Sequence, residues 1–310
     1  MKTSVFHRKT LHLNEHQLFP PDNNCPFCLS TNREAAAVLQ KEPDVYILAC
    51  KNCYAASASR MPTQEALIEY YRNFYDNDED TKVTFDNPER LALHILSYYN
   101  DINADEKNVQ ILDFGGGDST ISAIMAERMI AQDNKKEVYI TVIDYNTDIK
   151  KLNNQRIKIN RVNDLFEAPD NTYTIVIASA IIEHIPKPRE ILIKLFNVLE
   201  RGAIFYARTP YILPLLKLSN SIGLHLDFAY PAHLHDLGAR FWKGLTQRLS
   251  CKGEFKILRS TPSITETSFR EHFFRTLAAY TLKVPGYIFK ETYGFTGGWE
   301  IFIKKNNSPI

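Results

Sequence analysis

The chain has 310 residues, a formal net charge of +1 and 44% hydrophobic residues. That length allows one sizeable domain with a smaller companion. Near-neutral charge gives no electrostatic argument for nucleic acid, and no apolar run approaches the roughly 20 residues of a membrane span. Residues 1–16 lack the apolar core of a secretory signal, so the expectation is a soluble, cytoplasmic protein.

Residues 1–21 are polar and mixed, without a clear period. Two CxxC pairs follow, Cys25 with Cys28 and Cys50 with Cys53, separated by a stretch that includes the strand-like run at 45–48. Each CxxC can turn two sulfurs toward one ion, and two such knuckles supply the four thiolates of a tetrahedral zinc site. A redox pair or disulfides are the alternatives, and both suit a chain without a secretion signal less well. A filled four-thiolate site has no open coordination position, so the role expected for Zn2+ is structural. The fifth cysteine, Cys251, reads as a buried apolar residue rather than a nucleophile.

Residues 62–75 have the spacing of a helix, with Thr63 at its cap and Leu67, Tyr70, Tyr71 and Phe74 at helical intervals. An acidic break at 76–80 precedes a second helix start at Phe85-Asp86-Asn87-Pro88, continued by Leu91, Leu93, Ile95 and Leu96. The organisation expected is a zinc-binding module over 1–60, a helical linker or lid over 61–90, and a main domain over 91–310.

The main domain alternates strand and helix. Residues 108–118, NVQILDFGGGD, run from a strand into a glycine turn, and Ile121, Ile124, Met125 and Met129 then follow helical spacing. Further strands are expected at 137–144, 157–160, 173–180, 203–207, 254–258 and 299–304, with helices at 188–200 and 268–282. The stretch 173–180 is almost wholly apolar, as in a sheet covered on both faces. The fold class implied is α/β, a doubly wound sheet of seven strands. Residues 211–250 interrupt the alternation with aromatics and histidines.

The turn at Gly115, Gly116 and Gly117 lets a ligand approach the backbone and sits at a helix N-terminus. A dinucleotide fingerprint, G-x-G-x-x-G, fails at its third position, which is Thr120. Read as D-x-G-x-G, with Asp113, Gly115 and Gly117, the stretch resembles motif I of the class I S-adenosylmethionine-dependent methyltransferases. A cationic sulfonium cofactor tolerates the carboxylates of Asp113 and Asp118, whereas a pyrophosphate does not. Ligands of such sheets bind beyond the carboxyl ends of the strands, and Asp113, Asp144 and Asp164 stand at three of those ends. The resemblance implies a Rossmann-like methyltransferase fold. In it Asp113 serves the methionine end, Asp144 the ribose and Asp164 with Leu165 the adenine. Gly116, Ser179 and Tyr145 join this set, Tyr145 able to pack on the adenine face.

After the fourth strand, Glu183-His184-Ile185-Pro186 is similar to the E-H-[IV]-P segment of small-molecule and sugar methyltransferases, and His184 is a candidate general base or a residue that orients its loop. With its double CxxC and tyrosine-rich helix, the chain resembles a methyltransferase branch of bacterial glycan and natural-product gene sets. There such tyrosines close over the methionine end, which makes Tyr71 a cofactor candidate. That branch carries an H-L-H-like motif after the fifth strand, here His233-Leu234-His235, with His225 and Asp227 upstream. His235, His233 and His184 are therefore the candidate bases. The chain departs from the branch at Glu200-Arg201-Gly202-Ala203, at Leu29 and Tyr54 where knuckles often carry glycine, and in lacking the C-terminal domain of related deoxysugar C-methyltransferases.

The expected function is O-methylation of a sugar or glycan precursor with S-adenosylmethionine. The insertion at 211–250 would roof the acceptor. An RNA methyltransferase is disfavoured by the neutral charge. A cofactor-binding scaffold is disfavoured by the intact glycines and acids.

Overall fold

The computed structural model describes residues 11–76, 87–103, 107–144, 152–223 and 226–306. Residues 77–80 of the acidic break, Phe85, Asp86, Tyr145 and His225 lie outside the described residues. In chain order the strands and α-helices are β1 (Arg33–Lys41), β2 (Asp44–Cys50), β3 (Ala56–Ala58), α1 (Gln64–Asp76), α2 (Pro88–Asn103), β4 (Asn108–Phe114), α3 (Thr120–Gln132), β5 (Glu137–Ile143), β6 (Ile157–Arg161), β7 (Tyr173–Ser179), α4 (Pro188–Asn197), β8 (Leu199–Tyr211), α5 (Leu213–Ser221), β9 (His235–Asp236), α6 (Ala239–Lys243), α7 (Leu245–Arg248), β10 (Phe255–Pro262), α8 (Phe273–Phe289) and β11 (Gly297–Lys305).

The main sheet has seven strands in the order β10-β11-β8-β7-β4-β5-β6. Strands β4 to β8 pair in parallel, and β11 enters antiparallel between β8 and β10. This is the doubly wound, Rossmann-like sheet expected from the alternation. The chain reverses its direction of winding between β4 and β7, which opens a crevice at their carboxyl ends.

Apolar side chains on both sheet faces explain why the strands read as continuous hydrophobic runs. On one face Leu91, Ile95 and Tyr99 of α2 and Met125 and Met129 of α3 pack on Ile111, Ile140 and Ile175. On the other, Leu192 and Phe196 of α4 meet Phe205, Phe241 and Trp242, and Cys25 and Phe27 of the N-terminal region join the same core.

A second, four-stranded antiparallel sheet runs β1-β2-β3-β9. Its last strand comes from the insertion. β3 has three residues, and without cover its outer edge would present unpaired backbone groups. Ala56 pairs with Asp236 and Ser57 with His235. Asp236 also accepts hydrogen bonds from the Ile212 and Leu213 backbone N–H groups, so the same two residues anchor the start of α5. Leu13, Leu18, Val45 and Ile47 share a core with Phe228, Tyr230 and Leu234. The cysteine region and the insertion are thus packed together.

Several boundaries differ from expectation, most of all those of β8 and α8. β8 extends to Tyr211 because β11 pairs with it along 204–211. α8 runs from Phe273 to Phe289, so it both begins and ends later than the 268–282 expected. Lys283 and Gly286 are buried, Lys283 donating to the Ser263 backbone carbonyl at 2.6 Å.

Candidate functional site

The crevice is built on the turn after β4. The Gly115 N–H donates to the Ile143 carbonyl at 2.8 Å, which ties the turn to the end of β5. Gly115 and Gly117 have φ of +75° and +57°, in the left-handed region that favours glycine. A Cβ on Gly115 would lie 2.6 Å from Ile181, and one on Gly116 would lie 2.6 Å from Asp113 Oδ2. A Cβ on Gly117 would meet nothing within 4 Å. The first two glycines therefore serve close packing, and the third faces open space.

Asp113 and Asp144 flank this space differently. The Gly117 N–H donates to Asp144 Oδ2 at 2.8 Å, so that carboxylate is held against the turn. Asp113 is 3% exposed, and its Oδ2 is buried with no hydrogen-bond partner among the described residues. Burial pushes its pKa up to about 6, against a hydrogen bond from Ser122 that favours the charged form and with Asp144 and Asp118 adding to the rise. A buried carboxylate oxygen left without a donor fits a cationic ligand group, which would replace the lost solvation. The residues present thus fit the ammonium end of S-adenosylmethionine. Asp118 has a local task, its Oδ1 accepting from the Thr120 N–H at 3.0 Å at the start of α3.

Asp164 is exposed and accepts from the Phe166 N–H at 3.0 Å, while Leu165 is buried. Phe166, not singled out from the sequence, is 54% exposed beside them and offers an aromatic face. Ser179 ends β7, and its Oγ accepts from Arg208 Nε at 3.3 Å. Arg208 is itself buried and paired with Glu266. Nothing in the sequence marked Arg208, because one arginine in an apolar strand carries no pattern.

The loop after β7 forms the next group. His184 Nδ1 lies 2.6 Å from the Ala232 carbonyl oxygen and 3.0 Å from the Tyr71 hydroxyl. Donation to the Ala232 carbonyl places the ring proton on Nδ1 and leaves the Nε2 lone pair, 3.9 Å from Glu183 Oε1. The His233 ring centroid is 5.1 Å from that of His184. One ligand atom each from Glu183, His184 and His233 lies within 4.8 Å of the others. Tyr71 on α1, His184 after β7 and His233 in the insertion, far apart in sequence, meet here.

His235 is not part of this group, which corrects its place among the candidate bases. Its Nδ1 lies 2.9 Å from Ser57 Oγ and its Nε2 2.8 Å from the Ile185 carbonyl, and the side chain has no solvent exposure. Phe27 packs edge-on at 4.9 Å. Burial pushes its pKa down to about 4, so the imidazole is neutral at physiological pH. With both ring nitrogens engaged by the surrounding protein, His235 has no nitrogen to offer a substrate. It ties the insertion to β3 and to the loop after β7.

The four cysteines Cys25, Cys28, Cys50 and Cys53 come together as their spacing implies, with every sulfur within 4.8 Å of the others. Sγ separations are 3.5 Å for Cys25–Cys53 and 3.6 Å for Cys28–Cys50. Tetrahedral Zn–S bonds of about 2.3 Å require S···S distances of about 3.8 Å, so the sulfurs fit one ion between them. The Cys53 thiol pulls Cys25 down to about 5, and burial pushes Cys28 up to about 11. Sulfurs this close cannot all ionise without a cation among them. Both knuckles repeat one turn. Leu29 N–H donates to the Cys25 carbonyl and Tyr54 N–H to the Cys50 carbonyl, and Leu29 and Tyr54 have φ of +61° and +62°. These are the two positions where the sequence lacks the usual glycine.

Residues 105–246, just under half of the chain, match the family model described as "Methyltransferase domain". No curated protein matches the sequence. Among solved structures, the plantazolicin methyltransferase BpumL in complex with a triazolic desmethylPZN analog and SAH is similar at 18% identity and a TM-score of 0.47, over 77% of this chain and 90% of that one. An S-adenosylmethionine-dependent methyltransferase from Mesorhizobium loti is similar at 11% identity and a TM-score of 0.41, over 67% of this chain and 96% of that one. The [4+2]-cyclase SpnF is similar at 15% identity and a TM-score of 0.40, over 71% and 81%. None of these likenesses bears on the acceptor.

Proposed function

We propose that this chain is an S-adenosylmethionine-dependent methyltransferase that O-methylates a sugar hydroxyl, with a small-molecule or glycan precursor as its acceptor. The observation that carries the reading is the packing of the glycine turn on the loop after β7: a Cβ on Gly115 would meet Ile181, whose carbonyl accepts from the His184 N–H of the Tyr71–His184–His233 group. When bound, the cofactor supplies an electrophilic methyl carbon. Asp113 would hold the ammonium end, Asp144 the ribose hydroxyls, and Asp164 with Leu165 the adenine end. Ser179 and Tyr71 complete the cofactor set, and Tyr145 joins it from the resemblance.

His184 is the positioning member of the histidine pair, its Nδ1 tied to Ala232. His233 is the assigned base, taking the hydroxyl proton as the acceptor oxygen attacks. In the neighbouring insertion Asp227 is exposed and can meet a polar acceptor, while Phe228 and Tyr230 are buried and support the segment from beneath. His233→Gln is expected to lower turnover by roughly 10²–10⁴-fold, the usual contribution of a general base, with affinity for S-adenosylhomocysteine unchanged. Activity should partly return at high pH, where the hydroxyl loses its proton unaided. Equal turnover in variant and parent would remove His233 from the chemistry.

Asp113 makes cofactor binding depend on pH in a defined direction. Its raised pKa, about 6, means the unliganded carboxyl must first lose a proton in acid. Affinity for S-adenosylhomocysteine should therefore rise with pH up to about 6, by roughly tenfold per unit, and level off above. Calorimetry that gave a flat profile across this range would detach Asp113 from the ammonium. The acceptor is tested by incubating enzyme and labelled cofactor with cell extract and identifying the product by mass spectrometry. A methylated nucleic acid or peptide as sole product would overturn the sugar assignment.

We assign structural Zn2+ to the four cysteines on the donor set and the sulfur spacing. The proposed organisation is a zinc module over 1–60, a lid over 61–90 and the catalytic domain over 91–310, whose insertion 211–250 roofs the acceptor.

A further inference from the structure

α8 is inside out. Its three buried residues are Thr276, Lys283 and Gly286. Lys283 donates to the Ser263 carbonyl and to Ser263 Oγ, and Thr276 Oγ1 donates to Thr267 Oγ1, so the inward face is fastened by polar contacts. The outward face is apolar. Phe274 is 83% exposed, Ile288 69%, Phe289 59% and Phe273 54%, and Leu277, Leu282 and Val284 are exposed with them. At about 3.6 residues per turn these positions all fall on one side of the helix. A soluble helix ordinarily does the reverse, and an apolar stripe of this size marks a surface that something covers.

The charge around the stripe says what that is. From His272 to Lys290 the sequence holds no acidic residue, and of its cations Arg275 and Lys290 face outward while Lys283 is turned inward. Arg270, Arg275 and Lys290 are exposed at the stripe's two ends. Of the bounding acids, Glu271 is exposed beside Arg270, and Glu291 is paired with Lys243 at 3.0 Å, so the exposed cations outnumber the acids left over. An anionic bilayer surface would bury the apolar side chains among acyl chains and meet the cations with headgroups.

We propose that α8 is an interfacial helix that docks the enzyme on anionic membrane surfaces. The helix follows β10, whose last residue, Pro262, pairs with Trp299 beside Thr209 of β8. It therefore sits toward the carboxyl edge of the sheet, the edge that carries the candidate crevice. Docking there brings that edge to the headgroup layer, where an acceptor held by a lipid would be presented. The helix surface alone carries this inference, which stands or falls separately from the sugar assignment.

The test is co-sedimentation of the full-length protein with phosphatidylcholine vesicles with and without phosphatidylserine. Binding to the phosphatidylserine vesicles that weakens with added salt is expected, with much weaker binding to phosphatidylcholine alone. Phe274→Glu and Ile288→Glu, at exposed positions, should each lower vesicle affinity by about tenfold or more. Their affinity for S-adenosylhomocysteine should match the parent's, which shows that they are folded. No binding to either vesicle, or equal binding to both, overturns the proposal. So does a concentration-dependent dimer that Phe274→Glu dissolves, which would give the stripe to a second copy.

Discussion

Cys50→Ser is expected to yield protein without bound metal and with a markedly lower melting temperature, whereas the parent should hold about one zinc per chain. Structural zinc contributes roughly 10–16 kcal/mol in isolated finger peptides, so loss of one thiolate is among the largest single effects available to this chain. The damage should spread in a particular direction. Cys25, Cys50 and Cys53 lie in one apolar core with Phe27, Leu237, Phe241 and Trp242, which join the cysteine region to the insertion. Arg248 of α7 donates to the Cys53 carbonyl, and Arg189 of α4 to the Phe27 carbonyl. Among the described residues, the hydrogen bonds of the glycine turn after β4 run to the end of β5 and to Asp144 instead. Methyl transfer should therefore fall much further than affinity for S-adenosylhomocysteine. Metal-free parent protein with all four thiols readily alkylated under native conditions would end the zinc assignment.

Gly117→Val is expected to abolish cofactor binding while leaving the fold standing. A side chain there enters open space, so no neighbour in the protein must move. At φ +57° it costs about 1–2 kcal/mol of backbone strain, a modest loss for a domain of this size. On the proposed reading, the space it enters is the one the cofactor would occupy. We expect affinity for S-adenosylhomocysteine to fall by about a hundredfold or more, equivalent to about 2.8 kcal/mol. Gly115→Val is the informative contrast. Its Cβ would strike Ile181, so it should lower the melting temperature as well. A Gly117→Val protein that bound the ligand normally would show that the crevice lies elsewhere.

Much of this was legible in the sequence, for physical reasons that also mark where legibility ends. β4, β5 and β7 could be read because strands covered on both faces must be apolar throughout, and the turn at Gly115–Gly117 because positive φ selects glycine. The CxxC pairs could be read because each such spacing turns two sulfurs toward one point, and the four sulfurs do converge. β9 could not. A two-residue strand has no period, and its partner Ala56–Ala58 lies far away in the chain. Nor could the separation of His233 from His235. They are two positions apart, yet one ring lies beside His184 and the other is locked between Ser57 and Ile185. Residue type names a possible base, and only burial and partners decide. The polar inward face of α8 was missed for the opposite reason: Lys283, Pro285 and Gly286 obey the rules for a helix end, and Lys283 is retained by the hydrogen bonds it makes.

The pairing of β3 with β9 has a bearing on any attempt to redesign the acceptor. An exchange of the insertion alone would remove the strand that covers β3, the Asp236 carboxylate that starts α5, and the His235 ring seated on Ser57 and Phe27. The transplantable unit is consequently discontinuous. It joins the segment from Leu13 to Ala58 with the segment from Phe228 to Leu237, because these fill one another's core. A chimera that moves both pieces from one donor should fold. A chimera that moves either alone carries an uncovered sheet edge into its new host.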